Sequence, residues 1–455
     1  MARGTIHRTH RRAVVALLVA RALAPSAARG SAAELFGLGS EQAALVGAAS
    51  ARVRDFSSGY YNPAGLANLR SAEVSLGLLG FGSRLVASTS VDTVLPISQP
   101  VGILVGAAAP VPLGAVLARR LFVGVALYVL PATLAEVIAR APSEPFFPYY
   151  DDRAQRLLVL PSLAVRIAGG LSAGIGLDYL AGVAGRVASA PGATRATEAR
   201  VDEQIQSVLA VHAGLQWRSP GDRFGAAIVY RQRFSVPFST VSNNSVAGQG
   251  LDLAIAAEGL FTPDELVFGG SARPVRWLEL SADLTASFWS EWRGPFVAVD
   301  SSLPIAGSLT APPPTLRYED TVSLRVGAEA SRRLAPSLVG KLRAGYGVES
   351  SPIPEQPGVT NLLDGTKHFL GVGAGLRWER GRFALRVDGH AQLHLLQPRT
   401  FTKEVAPPGS SPDPASALRD EQPAQPGVQI ANPGWPSITG SGFVWSAGFT
   451  FTVER

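Results

Sequence analysis

The chain has 455 residues, 17% of them charged, a mean hydropathy of +0.18, 48 glycines and no cysteine. That length fits several soluble domains or one large barrel. The composition is apolar for a soluble protein of this size, and the missing cysteine excludes a disulfide framework and any Cys-ligated metal or cluster. The net charge of +6 is misleading. Residues 1–33 carry Arg3, Arg8, Arg11, Arg12, Arg21 and Arg29 without an acid, and taking these six from 41 basic residues leaves 35, equal to the 35 acids. No basic nucleic-acid footprint remains.

Residues 1–33 read as a secretory signal. Arg11 and Arg12 precede the apolar run 13–20, and Ser31-Ala32-Ala33 supplies small residues for cleavage before Glu34. The competing reading is a disordered basic tail. Residues 34–70 follow with neither sustained alternation nor a helical stripe, yet they are too apolar for a free tail. Such a segment needs something to pack against.

Beyond residue 71 the pattern is that of strands. The longest uncharged stretch, residues 101–118, reaches transmembrane-helix length but contains Pro110, Pro112, Gly102, Gly106 and Gly114, which suit a strand and a turn. A spanning chain without helices must be a closed barrel, because lipid offers no partner to an unpaired backbone group. Period-2 alternation recurs along 278–288, 321–330, 384–395 and 443–454. These runs have the length of tilted membrane strands rather than of average soluble ones.

In order, the predicted strands are 72–81, 100–110, 121–131, 156–168, 171–186, 203–217, 222–236, 262–274, 276–289, 319–332, 336–348, 367–379, 381–394 and 441–453. Long loops (82–99, 132–155, 187–202, 237–261, 290–318, 349–366, 395–440) alternate with short turns near Gly169-Gly170, Pro220-Gly221, Pro274-Val275, Ala335 and Arg380. Gly114 marks a longer turn of the same class. Outer-membrane barrels have this asymmetry, with short turns periplasmic and long loops extracellular. Residues 251–259 also read as a strand; assigning them to a loop preserves the alternation. The expected fold is all-β: a transmembrane antiparallel β-barrel of about 14 strands over 71–455.

The most specific signal is N-terminal: Gly37 and Gly39 in Phe36-Gly37-Leu38-Gly39, then Asp55, then Tyr60-Tyr61-Asn62-Pro63-Ala64-Gly65. This resembles the plug of the FadL-type long-chain fatty-acid outer-membrane transporters, which ends in Asn-Pro-Ala before strand one. Asn62-Pro63 is equally a plain turn signal. Further matches fall in family order: Phe288-Trp289-Ser290-Glu291-Trp292, Arg317-Tyr318-Glu319-Asp320-Thr321, and Gly345-Tyr346-Gly347 with Ser351-Pro352-Ile353-Pro354. One departure is the end, where Val453-Glu454-Arg455 follow Phe451 instead of a terminal aromatic. The resemblance implies residues 34–70 as a plug, or hatch, inside the lumen of an outer-membrane channel. It implies a hydrophobic, fatty-acid-like ligand captured by extracellular loops and released laterally after the plug shifts, without ATP, cofactor or metal. The partners would be that ligand and outer-membrane lipid, the protein a monomer, and nucleic acid no partner. A non-specific porin or structural barrel is the alternative.

Phe146, Phe147, Tyr149 and Tyr150, in the second long loop, suit an apolar capture surface or, equally, an interfacial aromatic girdle. His390 and His394 have helical metal-ligand spacing, but on a strand they stand about 13 Å apart and line the lumen instead. Gly371-Val372-Gly373-Ala374-Gly375 lies in a strand and lacks the dinucleotide spacing; it suits strand bending or close approach of the plug. An outer-membrane hydrolase would draw its base from His212, His368, His390 or His394; no serine motif accompanies them, and nothing in the sequence places an acid beside them. Arg325, Glu329, Lys341, Arg343, Glu279 and Asp283 fall on polar faces and are expected to form lumenal ion pairs holding strands and plug; the alternative is that one of the cations meets a carboxylate ligand.

Overall fold

The computed structural model describes residues 32–95, 97, 101–112, 120–129, 143–151, 157–191, 197–246, 249–296, 298–303, 307–311, 316–404 and 432–455. Nearly all of the predicted leader, and parts of loops 82–99, 132–155 and 395–440, lie outside them. No described helix is long and apolar enough to cross a membrane. Fourteen strands form the wall: β1 (Glu73–Ser88), β2 (Val101–Pro110), β3 (Leu121–Val129), β4 (Leu158–Arg166), β5 (Leu171–Pro191), β6 (Thr197–Arg218), β7 (Phe224–Arg231), β8 (Asp264–Val275), β9 (Leu278–Phe288), β10 (Thr321–Ala335), β11 (Leu338–Glu349), β12 (Lys367–Arg380), β13 (Phe383–Thr402) and β14 (Ser437–Glu454).

Each wall strand pairs antiparallel with the next. The ring closes where β1 meets β14, from Glu73 opposite Glu454 to Ser88 opposite Thr439. Closure leaves no sheet edge, which is the condition for a sheet to span lipid. The predicted alternation sets the orientation of the side chains. Leu280, Leu284, Phe288, Val322, Leu324, Val326, Phe443, Trp445, Phe449 and Phe451 point outward and are 37–57% exposed, while Glu279, Asp283, Thr321, Glu329, Thr450 and Thr452 point inward at 0–7%. Apolar outside and polar inside is the reverse of a soluble sandwich and matches a barrel in lipid.

Five expected loops are partly strand: residues 92–95 pair back on β1 within 82–99, residues 298–303 and 307–311 form a hairpin within 290–318, and β13 and β14 reach Thr402 and Ser437 within 395–440. Residues 251–259 belong to a strand, Gln249–Thr262, which pairs with Phe234–Val246. It is not a further wall strand: the hairpin prolongs β7 and β8 beyond the wall, so the count of fourteen stands. Likewise β5 and β6 continue pairing to Pro191 and Thr197, across most of the expected loop 187–202. Extending a hairpin gives these backbone groups partners without requiring one-sided burial.

Candidate functional site

Residues 34–70 approach the inner face of strands all round the ring. Gly37 and Gly39 both have positive φ, 89° and 80°, and turn the chain from the helix Ala32–Phe36 into Ser40–Ala43. The Leu38 N–H donates to Tyr61 Oη at 3.0 Å, and a Cβ on Gly37 would overlap that oxygen. Asp55 accepts from the Ser57 amide at 3.0 Å and from Arg386 of β13 at 3.2 Å. Asn62 caps the 3-10 turn Pro63–Asn68: its Oδ1 accepts from the Ala64 amide, and its Nδ2 donates to the carbonyls of Ser50 and, on β6, Leu215. Pro63 at the first position of that turn supplies a fixed φ and needs no donor. The turn thus carries the Asn-Pro-Ala motif and fastens it to the wall.

Wall glycines make room for this. A side chain on Gly174 of β5 would collide with Pro63 and Ala64, and one on Gly214 of β6 with Asn62. On β12, Gly371 and Gly373 abut Ala44, the close approach expected for that glycine run; Gly375 instead makes room for Asp388 and Arg343.

The rest of the attachment is polar. Asp283 of β9 accepts from the Ala49 and Ser50 amides and the Ser50 hydroxyl at 2.8–3.0 Å. Arg52 lies 3.0 Å from Glu329, 3.5 Å from Glu41 and 3.6 Å from Glu279. Arg343 bridges Glu41, Glu329 and Asp388, and Lys341 reaches Glu329. Burial pushes the Glu41 carboxyl up, but Lys341 and Arg343 outweigh it and hold the group well below the usual carboxylate range. Five of the six polar-face residues expected to form ion pairs do so, and Asp283 binds by hydrogen bonds instead. The sequence reading missed Glu41, Arg52 and Arg386; their only signal was charge within an apolar segment or an alternating strand.

Toward the long-loop end the lumen becomes aromatic. Phe146, Phe147, Tyr149 and Tyr150 are all buried, so the four rings sit within the loop packing and do not face outward as a girdle. Phe146 exchanges backbone hydrogen bonds with Asn361 and Leu363. Tyr149 Oη donates to Glu349 at 3.2 Å, and the fully buried Lys367 ammonium sits 4.1 Å over its ring while bonding Asp364 at 2.9 Å. A continuous run of rings leads inward. Tyr318, Trp292, Trp289, Tyr149, Tyr150, His394 and Phe36 follow with centroids 4.4–6.5 Å apart. The last contact joins loop side to N-terminal segment, since Phe36 belongs to the latter.

His390 and His394 both face inward and are buried; His394 packs on Phe36 and Phe369, with Nε2 3.1 Å from Gln392. His212 does have an acid beside it, contrary to the sequence reading: the pairing of β5 with β6 sets its Nδ1 3.1 Å from Asp178 Oδ1. Among the described residues no group of three or more His, Cys, Asp or Glu is placed to hold a metal. At the foot of β1–β3, Val74, Ala107, Val123, Val125 and Val453 line an apolar recess in the wall, with Ala108 and Gly124 behind it.

No family model and no curated protein matches the sequence. Solved structures do. A Pseudomonas aeruginosa FadL homologue superposes with a TM-score of 0.55 at 13% identity, over 91% of this chain and 97% of that one. The P. putida toluene transporter TodX gives 0.55 at 13%, over 92% and 99%. The CymD monoaromatic hydrocarbon channel gives 0.50 at 16%, over 91% and 97%. Nearly whole-length agreement at such low identity is agreement of architecture, and the chain has the fold of the FadL-type outer-membrane channels.

Proposed function

We propose that this protein is an outer-membrane channel for passive uptake of hydrophobic compounds, with residues 34–70 as its plug and residues 1–33 as a cleaved signal peptide. One observation carries the reading: a lipid-facing wall encloses a folded segment whose Phe36 meets a buried aromatic run descending from the loops. Ligand enters among the loops, where Phe146, Phe147, Tyr149 and Tyr150 form apolar packing that can open to receive it. Rearrangement of the plug then opens the lumen, and the recess at the foot of β1–β3 offers an exit into lipid through a wall of small residues. The protein acts as a monomer, and no step requires a cofactor.

The charge pattern favours uncharged ligands over fatty-acid carboxylates. Arg231 already has Glu265 at 3.2 Å, Arg325 has Glu349 at 3.3 Å, and Lys367 has Asp364. A ligand carboxylate would have to displace one of these internal partners and desolvate itself, an exchange with little gain. The structural neighbours named for toluene and monoaromatic hydrocarbons agree with this preference.

The test combines two measurements on purified protein. Quenching of tryptophan fluorescence by an uncharged aromatic compound should report saturable binding, and planar bilayers should show little steady ionic conductance. Free conductance without saturable binding would establish the porin alternative.

A further inference from the structure

We infer that the short-turn end of the barrel, periplasmic on the reading above, is a binding rim for anionic phospholipid headgroups. Exposed arginine recurs along this end: Arg223, Arg276, Arg333 and Arg382 stand at four short turns, Arg332 and Arg380 double two of them, and Arg120 precedes β3 at the fifth, longer connection. At the sixth, Arg166 turns its guanidinium inward to the Ala67 carbonyl. Arg70 and Arg455 add exposed charge where the first strand begins and the last ends.

Carboxylates at this end do not balance the ring. Asp222 is taken by Arg54, Arg218 and Arg273, and both Glu379 and Glu454 by Arg377. The opposite end differs: there exposed Glu144, Glu291, Glu319, Asp320 and Glu355 mingle with Arg84, Arg233 and Arg317. The asymmetry is therefore a property of the rim and not of the whole surface.

A second observation places the rim at a membrane interface. Trp217, Phe224, Trp277, Trp378 and Phe383 flank the same turns and are 40–60% exposed, and the Arg380 guanidinium lies 5.7 Å from the Trp378 ring. Amphipathic rings at the level of a basic band are what a headgroup layer selects. The arginines are spread round the circumference, one turn after another. A compact protein partner would engage one sector; an annulus of lipid engages them all. Guanidinium also suits phosphate through bidentate donation.

The experiment uses the full chain in phosphatidylcholine vesicles, with and without phosphatidylglycerol, and reads retained lipid by native mass spectrometry. Wild type should retain phosphatidylglycerol several-fold over phosphatidylcholine at low salt, and approach parity near 1 M salt, where screening is short-ranged (about 3 Å). Arg276→Gln with Arg333→Gln, and separately Arg223→Gln with Arg382→Gln, should each remove part of the preference. No preference in wild type overturns the inference, and so does a preference indifferent to salt. Dependence on one pair alone also overturns it, pointing to a single-sector protein site. Should the variants fail to fold, the salt series on wild type decides. Failure to insert into either vesicle would instead overturn the membrane reading, and the inference with it.

Discussion

Arg52, in the N-terminal segment, donates to Glu329 of β10 across 3.0 Å, with both side chains almost fully buried. They are 277 positions apart in sequence. Removing one member of such a pair strands the other in low dielectric, a loss of about 3–5 kcal/mol. Lys341 and Arg343 still reach Glu329, which puts the expected cost at the lower end. Arg52→Met should lower thermal stability, expose residues 34–70 to protease and raise ionic conductance in planar bilayers. Unchanged conductance and protection would show that this contact does not hold the segment.

The pairing of Arg325 with Glu349 gives a test of ligand charge. Glu349→Gln keeps the shape and the Tyr149 contact but leaves the guanidinium without its carboxylate. Affinity for a long-chain carboxylate should then rise about tenfold relative to an uncharged analogue of the same length, a change of about 1.4 kcal/mol. Fluorescence titration with the matched pair of ligands checks it. A variant that binds both as wild type does would mean that Arg325 is not reached by ligand.

Asp222 lies in the turn between β6 and β7. Burial pushes its carboxyl up, but Arg218 and Arg54 pull it down to about 2. A carboxyl whose folded value lies below its unfolded value, near 4, stabilises fully above pH ~4 and loses that contribution as pH falls toward 2. Asn accepts the positive φ of 61° at this position as Asp does. Asp222→Asn should therefore melt below wild type at pH 7, with the gap closing between pH ~4 and ~2. Melting curves by circular dichroism across that window provide the measurement; a constant gap would contradict the assignment.

At the foot of β1–β3, Ala107 faces outward into the apolar recess. Ala107→Trp should fill the recess from the lipid side without entering the packed interior. Ligand binding from the loop side should persist while uptake into vesicles falls at least several-fold. Full uptake would place the exit elsewhere.

The wall was readable because lipid imposes a rule on every strand. In β9, for example, Leu280 and Leu284 must face hydrocarbon while Glu279 and Asp283 face the lumen, so side is written as alternation. Beyond the membrane that rule lapses: residues 251–259 carried a strand signal, but nothing local told a wall strand from the projecting hairpin of Phe234–Val246 and Gln249–Thr262, and keeping long and short connections alternating assigned them to a loop. The segment was partly readable: Asn62 and Pro63 announce a turn by local chemistry. Its partners were not. Ser40 meets Thr450 and Gln392 meets Phe36, contacts set by closure of the ring and invisible to any local pattern. The four loop aromatics were visible as a cluster, but whether rings are displayed or buried depends on neighbours such as Leu362 and Glu349, more than 190 residues away.

The glycine seats at Gly174, Gly214 and Gly371 have a consequence for biogenesis. A cylinder already sealed would have to admit a bulky, charge-studded insert through one end and align it against opposite sides simultaneously. An insert present first would act as a mandrel, with successive hairpins curling onto it and the seam between β1 and β14 sewn last.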